Sequence, residues 1–561
     1  MNPKLAKLFG LFVLAAILFG YISHILPEGK TSPCPTVQLS TYPTLGSLEI
    51  PNSKRGQIYL NGIWQFMPAL DTSEPQPPQD DWGSIWVPGD WQHENDTAVP
   101  GLISRVTGTA WQNFNGKSLS KAWYQRTVKI PADWQGRSIL LDLQRVSTDA
   151  ILYVNGKQCG QVEWPYGAVD ITPMAQPGTE VTLSLLVVAA TDEQAKTVIM
   201  SPNETYTTEA QLASRGLIGE VRLLSLPQGS HISDIFVQPS TRQQQLKLNV
   251  ELADVTQTGT VELVAKLFNE QGKLERQFTA NAQVKAKPSQ VLQLAWDWSD
   301  PRLWDINQPN LYTLRLEIQG AGLDDKYDQP FGFREFWIEG RKFYLNGTEI
   351  RLRPILHKEK WQVGIPDVAD RMIDGYVWAG FNVAELWPWD HDERGRWHFR
   401  ELFAERADLK GFPIIAPALS MSHIGSPKKW RKQDKRKRWE QRMTTELRRY
   451  RNHPSILMWA NSPNFFGHAD DQNPQRIGKK NIEGSLAHRV ADERIRKIYP
   501  IGEKAVATIK SHDPTRPVLM HEGASVGDVY ALNSYLNLIP LQEREEWLSH
   551  WTQYGDMPYM V

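Results

Sequence analysis

The sequence predicts a multidomain chain, β-rich from residue 51 to about residue 335 and α/β from there on. Three observations predict it. Short β-branched and aromatic runs broken by Gly, Pro and Asp recur between Pro51 and Leu226, the spacing of an antiparallel sandwich. Strictly alternating runs follow, Leu246 to Leu252 and Val261 to Leu267, with the period of half-buried strands. Beyond Glu335, brief apolar segments alternate with longer amphipathic ones, the order that builds a parallel sheet or barrel.

Composition supports several packed cores. At 561 residues, with 41% hydrophobic and 10% aromatic content, the chain is long enough for three or four domains. A formal net charge of −1 supplies no overall field for a polyanion, so nucleic acid is not an expected partner. The 22 tryptophans suit either sugar stacking or sandwich cores. Cys34 and Cys159 form no disulfide framework and lack metal-ligand spacing.

In chain order, Lys4 and Lys7 precede an apolar run from Leu8 to Ile22 with no small-residue cleavage site after Ser23. Residues 1–26 therefore read as an uncleaved membrane anchor in preference to a signal peptide, placing the rest outside the cytoplasm, in the periplasm or at the cell surface. Residues 27–50 are a polar linker. The block 51–228 carries strands at Gln57–Leu60, Ser138–Gln144, Ala150–Val154 and Val181–Ala189, with Asn155-Gly156 as a hairpin turn. The block 229–335 holds the alternating runs. The block 336–561 gives strands at Arg351–Leu356, Asn382–Leu386, Pro413–Ala416, Ser455–Ala460, Pro517–Met520, Val529–Leu532 and Pro558–Val561. That stretch is shorter than the roughly 250 residues of an eightfold barrel, so the barrel is expected to be incomplete at its C-terminal end.

The most informative motif is Arg451-Asn452-His453-Pro454-Ser455-Ile456-Leu457-Met458-Trp459-Ala460-Asn461-Ser462-Pro463-Asn464. A turn at Asn-His-Pro feeds a short apolar strand, and such strands deliver chemistry at their carboxyl ends. The motif resembles the Asn-His-Pro-Ser-Ile-x-x-Trp signature of glycoside hydrolase family two, the β-galactosidases, β-glucuronidases and β-mannosidases. Other fragments share the likeness: Leu60 to Phe66, Val87-Pro88-Gly89-Asp90-Trp91, Ala122 to Arg126, Gly216 to Gly219, Leu303-Trp304-Asp305 and Phe331 to Arg334.

The resemblance implies a jelly-roll β-sandwich, an immunoglobulin-like β-sandwich and a C-terminally incomplete (β/α)8 TIM barrel. It also implies retaining hydrolysis of terminal β-linked sugars, which uses two carboxyls, one as acid/base and one as nucleophile. The family's acid/base falls five residues after the Trp, where this chain has Asn464. An amide neither donates that proton nor titrates near neutrality. The family's nucleophile would fall just past Val561. Candidate substitutes are Asp470 and Asp471, which otherwise read as a solvated or helix-capping pair, and Glu522, which otherwise reads as the partner of a neighbouring Arg or Lys.

Candidate substrate-binding residues are His357, Glu385, Trp387, Trp389, Asn461, His468 and Tyr535. His357 and Tyr535 occupy pocket positions on the family pattern, and Glu385 stands where the family commonly has Arg. An acidic residue there favours a cationic or hydroxyl-rich ligand over a carboxylate. Trp387 and Trp389 are sugar-stacking or core residues. No cofactor or metal is expected, and a homo-oligomer is left open. The basic run Lys428 to Trp439 reads as a solvated helix face, and the sequons at Asn95, Asn203 and Asn346 decide nothing. Two further readings stand beside hydrolysis: a carbohydrate-binding envelope protein that has lost catalysis, and one part of a longer coding sequence.

Overall fold

The computed structural model describes residues 53–560 apart from several internal stretches, the longest being 70–75, 92–102, 190–196, 208–214, 358–365, 387–396, 419–431, 462–492, 521–525, 532–540 and 543–548. All of them fall within one compact unit, Leu48–Val561.

The first β-rich block is built mainly from two antiparallel sheets, with a small two-stranded one, Thr197–Ser201 and Glu204–Thr207, beside them in sequence. A seven-stranded sheet runs in the order Ile103–Ser104, Gly83–Val87, Gly62–Pro68, Lys121–Lys129, Glu180–Val188, Asp149–Val154 and Lys157–Val162. A four-stranded sheet, Gly56–Tyr59, Val221–Pro227, Arg137–Leu143 and Gly167–Asp170, shares its core. Phe66, Trp91, Trp111 and Tyr124 form an aromatic cluster there, with Phe66 and Tyr124 edge to face at 5.2 Å. The predicted hairpin is present: Asn155 and Gly156 adopt φ of 49° and 77°, as a two-residue turn of this kind requires. The strands it joins pair Val154 with Lys157.

A second block has a three-stranded sheet (His231–Ser240, Gln245–Val255, Lys287–Asp297) and a four-stranded one (Leu274–Val284, Gly259–Asn269, Tyr312–Gly320, Leu323–Phe331). The alternating runs behave as their period demands. Leu246, Leu248, Val250 and Leu252 are buried in the same core as Val261, Leu263, Ala265 and Leu267, so the interleaved polar residues fall on the outer faces.

The remaining chain starts with a meander, Phe336–Glu339, Lys342–Leu345 and Thr348–Ile350. It then alternates strand and helix: β1 Pro354–His357, α1 Pro366–Trp378, β2 Val383–Leu386, α2 Trp397–Lys410, β3 Ile414–Pro417, α3 Gln433–Tyr450, β4 Ile456–Asn461, α4 Glu493–His512 and β5 Val518–Met520. The five strands form one parallel sheet in sequence order. Two further strands, β6 Tyr530–Ala531 and β7 Tyr559–Met560, pair in parallel with each other. Together the blocks make a multidomain, β-rich architecture.

Expectations about the membrane are corrected here. Residues 1–26, read as an anchor, lie outside the described residues. Among the described residues no helix is long and apolar enough to cross a membrane, so the membrane-anchored, extracytoplasmic placement and the membrane as partner are without support. The long helices are of another kind. α3, at 18 residues, carries Asp434, Lys437, Arg448 and Arg449, a charge density incompatible with a hydrocarbon core. The basic run is likewise settled where it is described: Trp439 is buried in the α/β core and Lys437 is exposed.

Candidate active site

The site is built on the carboxyl ends of the parallel strands, where α/β sheets place ligands. Its geometry begins with the turn that launches β4. Asn452 clamps the second block, accepting from Val237 N at 3.0 Å and donating to Ile235 O at 2.7 Å. Arg448 and Arg451 both reach Asp234 of the same strand, and Arg448 also reaches Glu251. Pro454 sits against Gly332, where an added Cβ would lie 2.7 Å from the proline Cβ. Only glycine permits that approach.

The following residues engage the α/β core. Asp408, buried on α2, takes His453 Nδ1 at 2.6 Å and Ser455 N at 2.9 Å. Its neighbours Phe403, Ala404 and Ala407 are buried core residues. Two buried guanidinium groups hold the carbonyls: Arg334 donates to Pro454 O and Ile456 O, while Arg516 donates to Ile456 O at 2.7 Å and His453 O at 3.0 Å. Burial, and then repulsion from Arg516, pushes the Arg334 guanidinium well below its usual range. Asp513 balances this pair, binding Arg516 Nη1 at 2.9 Å and Trp459 Nε1 at 2.8 Å. Burial raises the Asp513 carboxyl, but Arg516, Thr515 and Trp459 outweigh it and hold the carboxyl below the ordinary aspartate range. The signature from Asn452 to Trp459 is thus spent on fixing the strand.

Three candidate residues lie within the described chain. His357 ends β1 with its Nδ1 2.8 Å from Tyr376 Oη and its ring stacked on Phe403 at 4.4 Å, so the imidazole lies in the helix layer. Asn461 ends β4 opposite Met520, buried, two residues after Trp459 and on its side of the sheet. Glu385 occupies the other face. Its neighbours Ala384 and Leu386 belong to the core shared with the helices, and strand alternation sends Glu385 away from them. Register sets it beside Leu356 and Ile415. The sheet therefore brings His357, Glu385 and Asn461 to one end but not to one face. Trp387, Trp389, Asn464, His468, Asp470, Asp471, Glu522 and Tyr535 lie outside the described residues.

Sequence reasoning missed Tyr376, Asp408 and the Asp513–Arg516 pair. Asp408 had a signal, its place four residues after Ala404 and one after Ala407 on the apolar stripe of α2. Asp513 had one too, the Asp-Pro-Thr-Arg-Pro turn just before β5. Among the described residues no group of three or more His, Cys, Asp and Glu is placed to hold a metal ion.

Fold and site together define a class: β-sheet modules bound to a parallel α/β sheet whose strand ends carry polar, buried side chains. Residues 230–334 match the model of glycosyl hydrolases family 2. The chain is 23% identical over 497 residues to beta-galactosidase BoGH2A of Bacteroides ovatus, covering 83% of this chain and 54% of that protein. Among solved structures, Bacteroides uniformis β-glucuronidase superposes with a TM-score of 0.63 at 20% identity, covering 90% of this chain and 59% of that one. Bifidobacterium dentium β-glucuronidase complexed with coumarin-3-O-glucuronide gives 0.65 at 19%, covering 91% and 84%. The chain resembles the enzymes of glycoside hydrolase family 2, and its match to the family model lies in residues 230–334. It spans about half the length of the curated relatives it first matches, 54% and 46% of the two.

Proposed function

We propose that this chain serves the hydrolysis of terminal β-linked sugars in oligo- or polysaccharides, with retention at the anomeric carbon. In that reading residues 51–228 form a sugar-binding jelly roll, 229–335 an immunoglobulin-like domain and 336–561 part of a TIM barrel. The observation that carries it is the seating of the Asn452–Trp459 signature as the launch of a parallel strand, within a sequence likeness to a β-galactosidase covering 83% of the chain. Glu385 serves from the ligand side of the sheet, His357 and Asn461 from the helix side. Trp387, Trp389, His468 and Tyr535 complete the sugar contacts, and Asp470, Asp471 or Glu522 supplies a carboxyl.

One observation favours a second reading. Asn464 stands at the family's acid/base position, and an amide cannot protonate a leaving oxygen. On that ground the chain binds sugar without turning it over. A panel of chromogenic aryl β-glycosides, run beside calorimetric binding of the same compounds, separates the two. Turnover excludes the second reading; saturable binding without turnover excludes the first; neither one excludes both.

A further inference from the structure

The three-stranded sheet of the second block ends on the strand Lys287–Asp297, which pairs on one side with Gln245–Val255. Its other side meets no strand among the described residues. The phase of the ladder sets what that side offers. Trp298 N donates to Gln244 O at 2.7 Å, and the register runs unshifted from Asp297 back to Ser289. Bonding alternates residue by residue in an antiparallel pair, so even-numbered residues bond inward while Ser289, Val291, Gln293, Ala295 and Asp297 turn N–H and C=O outward. The side chains of those same residues are exposed, Val291 by 55%. Ties to the α/β half fall on the opposite edge, His231–Ser240, and through Glu251 on the middle strand.

Folded chains guard an edge strand by keeping it short, bulging it, or placing charge or proline along it. This strand has 11 residues, and from Ser289 to Trp296 it holds neither charge nor proline. Its charges stand at its ends, Lys287 first and Asp297 last. Such a strand is complementary to itself turned end for end. We propose that Lys287–Asp297 is a homodimer interface, at which two copies of the chain join edge to edge in one antiparallel sheet about a two-fold axis at Leu292. In that register Lys287 faces Asp297 of the second copy, Ser289 faces Ala295 and Val291 faces Gln293. Every one of these residues is odd-numbered, so outward N–H and C=O groups meet outward ones along the strand. On the inner face Leu292 meets its own copy, and Leu294 and Trp296, only partly buried, gain cover from water. The two-fold axis repeats the Lys–Asp pair at both ends. An unrelated strand would gain the backbone bonds but not this match, which is why a second copy is the occupant the edge fits.

The test is sedimentation velocity on the full chain from about 1 to 100 µM, a range that spans micromolar dissociation constants. The unaltered chain is expected to dimerise. Gln293→Pro removes an outward N–H and leaves the ladder to Gln245–Val255 in place, since proline is tolerated where an edge strand's N–H faces solvent; it is expected to give a folded monomer. Lys287→Asp and Asp297→Lys each set like charges opposite one another at both ends, and each should weaken the dimer by about tenfold. Mixed one to one, these two variants again oppose unlike charges at both ends and should form a heterodimer as tight as the unaltered pair. A chain that stays monomeric throughout overturns the proposal, as does a Gln293→Pro dimer as tight as the unaltered one, or a mixture no tighter than either variant alone. Should Gln293→Pro fail to fold, the two charge reversals, both at exposed positions, decide the question by themselves.

Discussion

Asp408→Ala should be among the most damaging single changes to the α/β half of this protein. The carboxylate is 5% exposed and receives two donors, His453 Nδ1 at 2.6 Å and Ser455 N at 2.9 Å. Alanine leaves the Ser455 amide buried with no acceptor, at about 1–3 kcal/mol, and forfeits a charge-assisted bond to His453 of similar size. A central expectation is about 3 kcal/mol, which for a cooperative unit of this size lowers Tm by roughly 6–12 °C. Asp408→Asn sharpens the argument. It keeps an oxygen for Ser455 N and the same volume but loses the charge opposite His453, so about half the penalty should remain. The assay is thermal unfolding of both variants followed by near-ultraviolet circular dichroism, where buried Trp459 reports on β4. An alanine variant melting within about 1 °C of the unaltered chain would refute the reasoning, since a shift that small corresponds to under about 0.5 kcal/mol. Equal losses for alanine and asparagine would show that the charge carries the effect and that the bond to Ser455 N does not.

Three other outcomes follow from the same geometry. Asn452→Ala removes two side-chain bonds to the strand His231–Ser240, and amide hydrogen exchange at Val237 should accelerate by about tenfold or more, as 1.4 kcal/mol of lost protection implies. Gly332→Ala drives a methyl to 2.7 Å from both Pro454 and Trp304 side chains, and chemical denaturation should report a loss of about 1–3 kcal/mol. Asp513 governs acid stability. Its folded pKa is depressed, so its contribution is complete above its unfolded value near about 4 and is lost as pH falls through the folded value. Asp513→Asn should therefore flatten the acid limb of the stability curve below about pH 4, measured as urea midpoints across pH; an unchanged slope would sink that assignment.

The legible parts of this fold are those with a period. Leu246 to Leu252 alternates because one face meets the core of the second block and the other meets water, and the sequence records both environments. β1 and β2 have four residues each, too short to show a period, and β2 is too buried to need one. For that reason the direction of His357 was not readable, and the structure sets it toward Tyr376 and Phe403. The Asn-His-Pro-Ser signature was legible as a marker of the strand but not as a set of contacts. Its partners Val237, Asp408 and Arg516 come from three separate parts of the chain, and a linear string carries no sign of which side chains will meet. The apolar run from Leu8 to Ile22 read as a membrane anchor because hydropathy records composition alone. The described helices offer that assignment no support.

The contacts around the start of β4 reach all three blocks, which has a mechanical consequence. Arg449 reaches Gln144 of the first block and lies over the ring of Tyr166 at 4.4 Å. Arg448, Arg451 and Asn452 reach the second block, and Pro454 abuts Gly332 at its end. His453 and Ser455 bind Asp408 within the α/β core, and Arg451 also donates to His512 O there. The stretch from Arg448 to Ser455 therefore ties to all three blocks, mostly through charged or amide side chains. Breaking a buried one, such as the Asn452 bond to Val237 N, leaves a polar group without that partner, which costs more than the bond returned when it formed. A displacement of either β-rich block is thereby resisted at the base of β4, the strand whose far end carries Asn461 and leads to Asn464. The β-rich blocks belong to the positioning of that strand as much as the helices beside it do.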